Sequence, residues 1–128
     1  MTRTLLIVDD SPISRRILKS CLPKGRNFVV AEACDGAAGL AAHREQRPDL
    51  TFLDLTMPGM NGFDCLAGIM ASSPGAAVVV VTADVQKRST ERARALGAMD
   101  VIGKPPTREA VAAALERADA RRGAGDAR

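Results

Sequence analysis

Five short runs of neighbouring apolar residues, each followed by a segment with apolar residues at helical spacing, constrain this chain more than any other feature. The runs cover residues 4–8, 28–32, 50–54, 77–81 and 98–103. The helical segments cover 12–22, 35–46, 62–71, 84–96 and 107–118. Strands that are apolar at consecutive positions are covered on both faces, which is the pattern of a parallel sheet. Strict alternation makes the helices the crossovers, right-handed and packed on both sides. The expected fold is α/β: a doubly wound, five-stranded parallel sheet with helices on both faces. Periodicity leaves open which of two common strand orders the sheet adopts.

Local signals agree with these elements. Ser11 or Asp10 stands at an N-cap, with Pro12 at the first helical position. Gly25 marks a loop, Pro48 stops the second helix, Ser73-Pro74-Gly75 closes the third, and Gly97 occupies the C′ place of the fourth. No repeat or linker is visible. One domain is expected over residues 1–118. The stretch "ADARRGAGDAR" has no apolar periodicity, so residues 119–128 are expected to form a flexible tail.

Composition narrows the class. The 128 residues suffice for one core, and with Phe28, Phe52 and Phe63 as its only aromatics that core is aliphatic. A net charge of +3 is too small to argue for nucleic acid. Cys21, Cys34 and Cys65 have no metal-site spacing and read as reduced thiols, small core or surface residues of a cytosolic protein. No apolar run approaches the ~20 residues of a membrane span, and no signal peptide precedes the first strand. The expectation is a soluble cytoplasmic monomer.

In a parallel sheet all strand C-termini share one edge, where the ligand crevice lies. The five ends offer Asp9 and Asp10, then Glu32, then Asp54, then Thr82, then Lys104. If strands 1 and 3 are neighbours, ~4.8 Å apart, Asp9, Asp10 and Asp54 crowd together. Three like charges at that range raise one another's proton affinity unless a cation sits among them. Oxygen-only ligands suit a hard ion, and Mg²⁺ matches carboxylate plus phosphate oxygens. The Thr82 hydroxyl and the Lys104 ammonium would flank the oxygens of a phosphoryl group, which is equipment for phosphoryl transfer. An Asp carboxylate can itself be the acceptor, as an acyl phosphate. Singly, each residue has a plainer role: Asp10 or Ser11 as a cap, Asp54 opening a loop, Thr82 capping a helix, Lys104 exposed. Those roles do not explain why all of them fall on strand ends.

The set "VDD" (8–10), "DLTMPGMNG" (54–62), "VTA" (81–83) and "GAMDVIGKP" (97–105) resembles the receiver domain of two-component response regulators, over residues of about 3 to 118. The resemblance implies the flavodoxin-like strand order 2-1-3-4-5, an order that flavodoxin shares with a chemotaxis regulator. It implies that Asp54 is the phosphoacceptor and that Asp9 and Asp10 organise Mg²⁺, Asp10 directly and Asp9 through water. Thr56 would lend its backbone carbonyl to the ion, Thr82 would move towards the phosphoryl group, and Lys104 would pair with it. The Lys104–Pro105 bond is expected to be cis. Val101 departs from the pattern, because receivers usually carry Tyr or Phe three residues before the lysine. Output is then expected from the β4–α4 loop, residues 83–86 including Ala83, and from the fourth helix. Asp84, two after Thr82, is a position that tunes dephosphorylation in the family.

The implied function is that of a single-domain response regulator. It would accept a phosphoryl group from a histidine kinase or histidine phosphotransfer protein and signal by protein–protein binding, with chemotaxis as the leading setting. It would catalyse only its own phosphorylation and autodephosphorylation. The partner would dock on the α4-β5-α5 face, where Lys87, Arg88, Arg92 and Arg94 stand against Glu91. Arg15, Arg16 and Lys19 lie on the helix where receivers usually meet the donor. His43, among Ala and Arg, reads as an ordinary surface residue. The alternatives are an intermediate phosphorelay receiver, a small phosphohydrolase resembling the haloacid dehalogenase class, a flavodoxin-like electron carrier, and a receiver fold that only binds. The phosphohydrolase needs an acid where Thr56 stands, and the carrier needs a phosphate loop and a stacking Trp or Tyr.

Overall fold

Ten elements alternate along the chain in a computed structural model that describes residues 2–57 and 61–126, with side chains as far as 121. They are β1 (Arg3–Val8), α1 (Pro12–Ser20), β2 (Phe28–Ala33), α2 (Gly36–Gln46), β3 (Leu50–Leu53), α3 (Gly62–Ser72), β4 (Val78–Thr82), α4 (Lys87–Ala95), β5 (Asp100–Gly103) and α5 (Arg108–Asp126). The strands form one parallel sheet in the order β2-β1-β3-β4-β5. That is the order the resemblance implied.

Each strand sends alternate side chains to opposite faces, and both faces are apolar. On one side Leu5, Ile7, Phe52 and Val81 pack with Leu18 of α1 and with Val111 and Leu115 of α5. On the other, Leu6, Val8, Leu53 and Val80 pack with Leu66 and Ile69 of α3 and Ala93 of α4. Fully burying one such side chain stabilises by roughly 1.5–3 kcal/mol, so the sheet is held from both sides by a mainly aliphatic core with Phe52 at its centre.

The element ends show local chemistry at work. Ser11 is the N-cap of α1, its side chain accepting from the Ser14 N–H, and Asp35 and Asn61 do the same for α2 and α3. Gly97 follows α4 at φ +114°, which favours glycine. Two helices depart from expectation. α4 begins at Lys87, three residues later than expected, because the Asp84 side chain accepts from the Gln86 N–H and the Ser89 hydroxyl and holds the preceding loop out of the helix. α5 runs on to Asp126 instead of ending at Ala118; Ala120, Arg121 and Arg122 are strong helix formers, while Gly123 and Gly125 beyond them are weak ones. Of the expected "GMNG" turn, Gly59 and Met60 lie outside the described residues.

Candidate functional site

The sheet's own hydrogen bonding carries the key residues into register. The Asp9 N–H donates to the Ala33 carbonyl (3.0 Å), the Asp54 N–H to the Val8 carbonyl (2.9 Å) and the Lys104 N–H to the Thr82 carbonyl (2.9 Å). Each bond extends a strand pairing by one residue. Asp9 and Asp54 therefore stand side by side just beyond the paired residues Val8 and Leu53. α3 presses in behind them. The Gly62 N–H donates to the Leu55 carbonyl, and a Cβ at Gly62 would lie 2.4 Å from the Asp54 carbonyl oxygen and 2.3 Å from the Leu55 Cα. Only glycine lets the helix approach the end of β3 this closely.

The carboxylates of Asp9, Asp10 and Asp54 each bring an oxygen within 4.8 Å of the others. Asp9 and Asp54 are buried and Asp10 is exposed. The Lys104 ammonium sits 2.8 Å from Asp9 Oδ2 and 3.6 Å from Asp54 Oδ2. Asp9 Oδ1 accepts from the Ser11 N–H at 2.9 Å. Burial pushes the Asp54 carboxyl above its ordinary range, Lys104 and the Thr56 N–H pull it back, and the charges of Asp9 and Asp10 push it up again.

Three carboxylate ligands with no His or Cys in the cluster fit a hard divalent cation, and Mg²⁺ meets that description. Ser11, not Asp10, caps α1, and among the described residues the Asp10 carboxylate accepts no hydrogen bond. Its oxygens are thus left for a cation. Thr56 lies beside Asp54, its N–H donating to Asp54 Oδ1 at 3.3 Å. The buried Thr82 hydroxyl accepts from the Asp84 N–H at 3.1 Å. Its own proton therefore remains available to a further acceptor. Ala83 is exposed beyond it, and Val101 is half-buried on β5, packed against the α3–α4 side of the core. The Lys104–Pro105 bond is cis, as expected. A cavity of about 260 Å³ opens beside Asp54 and Lys104, walled by Ile17, Leu18, Phe52 and Pro106.

Several side chains serve differently from expectation. Arg15 donates to the Asp9 carbonyl at 2.6 Å and pairs with Glu32, which also holds Lys19. One turn of α1 thus braces the strand end, a contact that α1's charge pattern alone does not reveal. Of the α4 cations, Arg92 lies over the Phe63 ring at 4.1 Å and Arg94 pairs with Asp100. His43 is corrected: it is buried, with 4% of its surface exposed. The Gly- and Ala-rich face of α2 lies close enough to the sheet to enclose it. Cys21 and Cys65 are buried and Cys34 is exposed, all three as free thiols. Burial raises the Cys65 thiol to about 11, so it stays protonated. Among the described residues no helix is long and apolar enough to cross a membrane.

Comparison with known proteins agrees with this geometry. The sequence model of the response regulator receiver domain matches residues 5–116. A chemotaxis protein CheY of Listeria monocytogenes is 40% identical over 114 residues, covering 89% of this chain and 96% of that protein. The receiver domain of the response regulator NarL from Mycobacterium tuberculosis superposes with a TM-score of 0.84 at 30% identity, covering 92% of this chain and 97% of that one. A Borrelia burgdorferi CheY, solved in complex with CheX, BeF₃ and Mg²⁺, gives a TM-score of 0.79 at 29% identity, over 90% and 87% of the two chains.

Proposed function

The chain belongs to the response regulator receiver family, and we propose from that premise that Asp54 is its phosphoacceptor. Signalling in the family runs through a Mg²⁺-dependent phosphoaspartate that the domain itself forms and hydrolyses, with a histidine kinase or phosphotransfer protein as donor. The observation that carries the assignment is one buried carboxylate, Asp54, standing between two further carboxylates and one lysine at the end of β3.

In this reading an oxygen of Asp54 attacks the phosphorus of a phosphohistidine. The N–P bond breaks, its electron pair leaves with the imidazole, and a carboxyl phosphate remains on Asp54. Asp9, Asp10, Asp54 and the Thr56 carbonyl would hold Mg²⁺, which supplies charge neutralisation for the phosphoryl oxygens. Lys104 already bridges Asp9 and Asp54, so a short swing brings its ammonium to a phosphoryl oxygen. Thr82 donates its free hydroxyl proton to another.

The output follows a chain of contacts. The Thr82 hydroxyl holds the Asp84 N–H, and the Asp84 carboxylate holds the Gln86 N–H and the Ser89 hydroxyl in the first turn of α4. A shift of Thr82 therefore loosens the loop at residues 83–86 and the start of α4, with Val101 offering no aromatic lever. Asp84 is the residue we expect to tune the phosphoryl lifetime. The α4-β5-α5 face would carry the partner. Arg94 and Arg117 are both committed to Asp100 there, which leaves Arg88, and Lys87 with its long 3.9 Å pairing to Glu91, to attract an acidic surface. Residues 1–118 would make up this signalling unit, and likeness to chemotaxis proteins favours a diffusible regulator in chemotaxis.

The test is incubation with a small phosphodonor and Mg²⁺ followed by intact mass. One phosphoryl adduct, labile to hydroxylamine and absent in Asp54→Ala, is expected. An adduct that persists in Asp54→Ala, or none in the wild type, overturns the assignment.

A further inference from the structure

The end of β1 carries a contact that the phosphoryl chemistry does not use. The Arg15 guanidinium donates through Nη1 to the Asp9 carbonyl at 2.6 Å and through Nε to Glu32 Oε1 at 2.9 Å. Its side chain is only 17% exposed. The sheet supplies the reason. β1 runs between β2 and β3, and the Asp9 N–H still reaches towards β2 by donating to the Ala33 carbonyl. In a parallel ladder the carbonyl of the same residue accepts from the same neighbour, two residues further on. β2 ends at Ala33, and Asp35 is already the N-cap of α2. Arg15 supplies the donor that β2 no longer gives.

That carbonyl belongs to the peptide that joins Asp9 to Asp10. Asp9 is pinned on every side: its N–H by Ala33, Oδ1 by the Ser11 N–H, Oδ2 by Lys104 and its carbonyl by Arg15. Asp10 has no such hold. It is exposed, and among the described residues its carboxylate accepts no hydrogen bond. Its direction towards Asp9 and Asp54 is set by the backbone, and the Asp9–Asp10 peptide is the last link. The charge of Arg15 works the other way, because a cation beside three carboxylates lowers their attraction for a metal ion. Glu32 offsets that charge at 2.9 Å. What reaches the site is therefore the hydrogen-bonding fork of the guanidinium, one prong on β1 and one on β2.

We propose that Arg15 is a positioning residue for the cation seat: it fixes the Asp9–Asp10 peptide so that the Asp10 carboxylate meets those of Asp9 and Asp54 on one Mg²⁺. This role stands on the reading of the three carboxylates as that seat. Groups that hold metal ligands from behind change metal affinity about 10–100-fold when they are lost. Arg15 holds its ligand through the backbone, so the lower end of that range applies.

The test is a calorimetric Mg²⁺ titration of the full chain and of Arg15→Gln, each at low and at high salt. The variant's midpoint should rise about tenfold, by the same factor at both salts. With a small phosphodonor, the Mg²⁺ needed for half-maximal phosphorylation should rise by that factor, and excess Mg²⁺ should recover most of the rate. Arg15→Lys keeps the charge and loses the fork, so its midpoint should rise as well, and it replaces Arg15→Gln if the melting curve shows that variant unfolded. An unchanged midpoint beside a lowered melting temperature would make Arg15 a brace of β1 alone and overturns the proposal. A tighter midpoint whose gain fades at high salt would mean that Arg15 acts by its charge, and overturns it too. A wild type that binds no Mg²⁺ removes the seat itself, a failure distinct from an unchanged midpoint in the variants.

Discussion

The two edges of the sheet treat charge in opposite ways. At the strand N-termini two carboxylates are each shared by two guanidinium groups: Asp119 by Arg3 and Arg26, Asp100 by Arg94 and Arg117. At the strand C-termini three carboxylates cluster and two of them, Asp9 and Asp54, share one lysine. Glu32, on the same edge but one strand outward, is again held by two cations, Arg15 and Lys19. The imbalance is thus confined to the ends of β1 and β3. The fold pairs Asp100, Asp119 and Glu32 with two cations each and leaves acid in excess at the ends of β1 and β3.

The comparison breaks most readily at Lys104. Lys104→Ala leaves Asp9 and Asp54 buried without their shared cation, and should cost about 3 kcal/mol in Mg²⁺-free urea denaturation. Added Mg²⁺ should restore much of that. Equal losses with and without the ion would mean that the edge is not a cation seat. Next comes Asp10→Asn, which removes a like charge and an oxygen ligand. Calorimetric Mg²⁺ binding should weaken at least tenfold, while the Mg²⁺-free melting temperature rises by a few degrees. Unfolding in its place would mean that Asp10 is structural.

The balanced edge should respond more weakly. Asp119→Ala releases its hold on two arginines, but the carboxylate is about a third exposed, so solvent limits the cost to about 1 kcal/mol or less. High salt should erase it, and Mg²⁺ should not change it. The smallest effect belongs to Glu32, whose carboxyl is held below its ordinary value mainly by its hydrogen bond to Lys19. A depressed folded value means stability that is complete above the unfolded value of 4.5 and lost as pH falls through the folded one. Glu32→Gln should lower stability slightly and evenly above pH ~5, and the gap to the wild type should close as pH falls through the folded value. A gap that varies with pH near neutrality would show that Glu32 acts on the site itself.

The sheet was legible because its strands are buried on both faces, so consecutive apolar residues mark them without ambiguity. The site was legible because parallel strands place their ends together. Asp9, Asp54 and Lys104 needed only the register to meet. What escaped the sequence depends on contacts made across space. The helical segment 84–96 was expected to open at Asp84, and only that residue's reach to Ser89 shows that α4 starts later. α2 buries Gly36, Gly39 and His43, residues too small or too polar to signal an inward face, so the histidine's burial left no periodic trace. Arg15 read as surface charge because its bond to the Asp9 carbonyl joins a helix to a strand end that no spacing rule connects.

The resting place of Lys104 has a consequence for timing. Both oxygens of Asp9 are engaged, one by the Ser11 N–H and the other by the lysine at 2.8 Å. The ammonium and a divalent ion are therefore rivals for Asp9 before they can be partners around a phosphoryl group. Whichever arrives first sets how fast the other is admitted. The readiness of this domain to be phosphorylated is then a rate of exchange at one carboxylate, sensitive to how much free Mg²⁺ surrounds it.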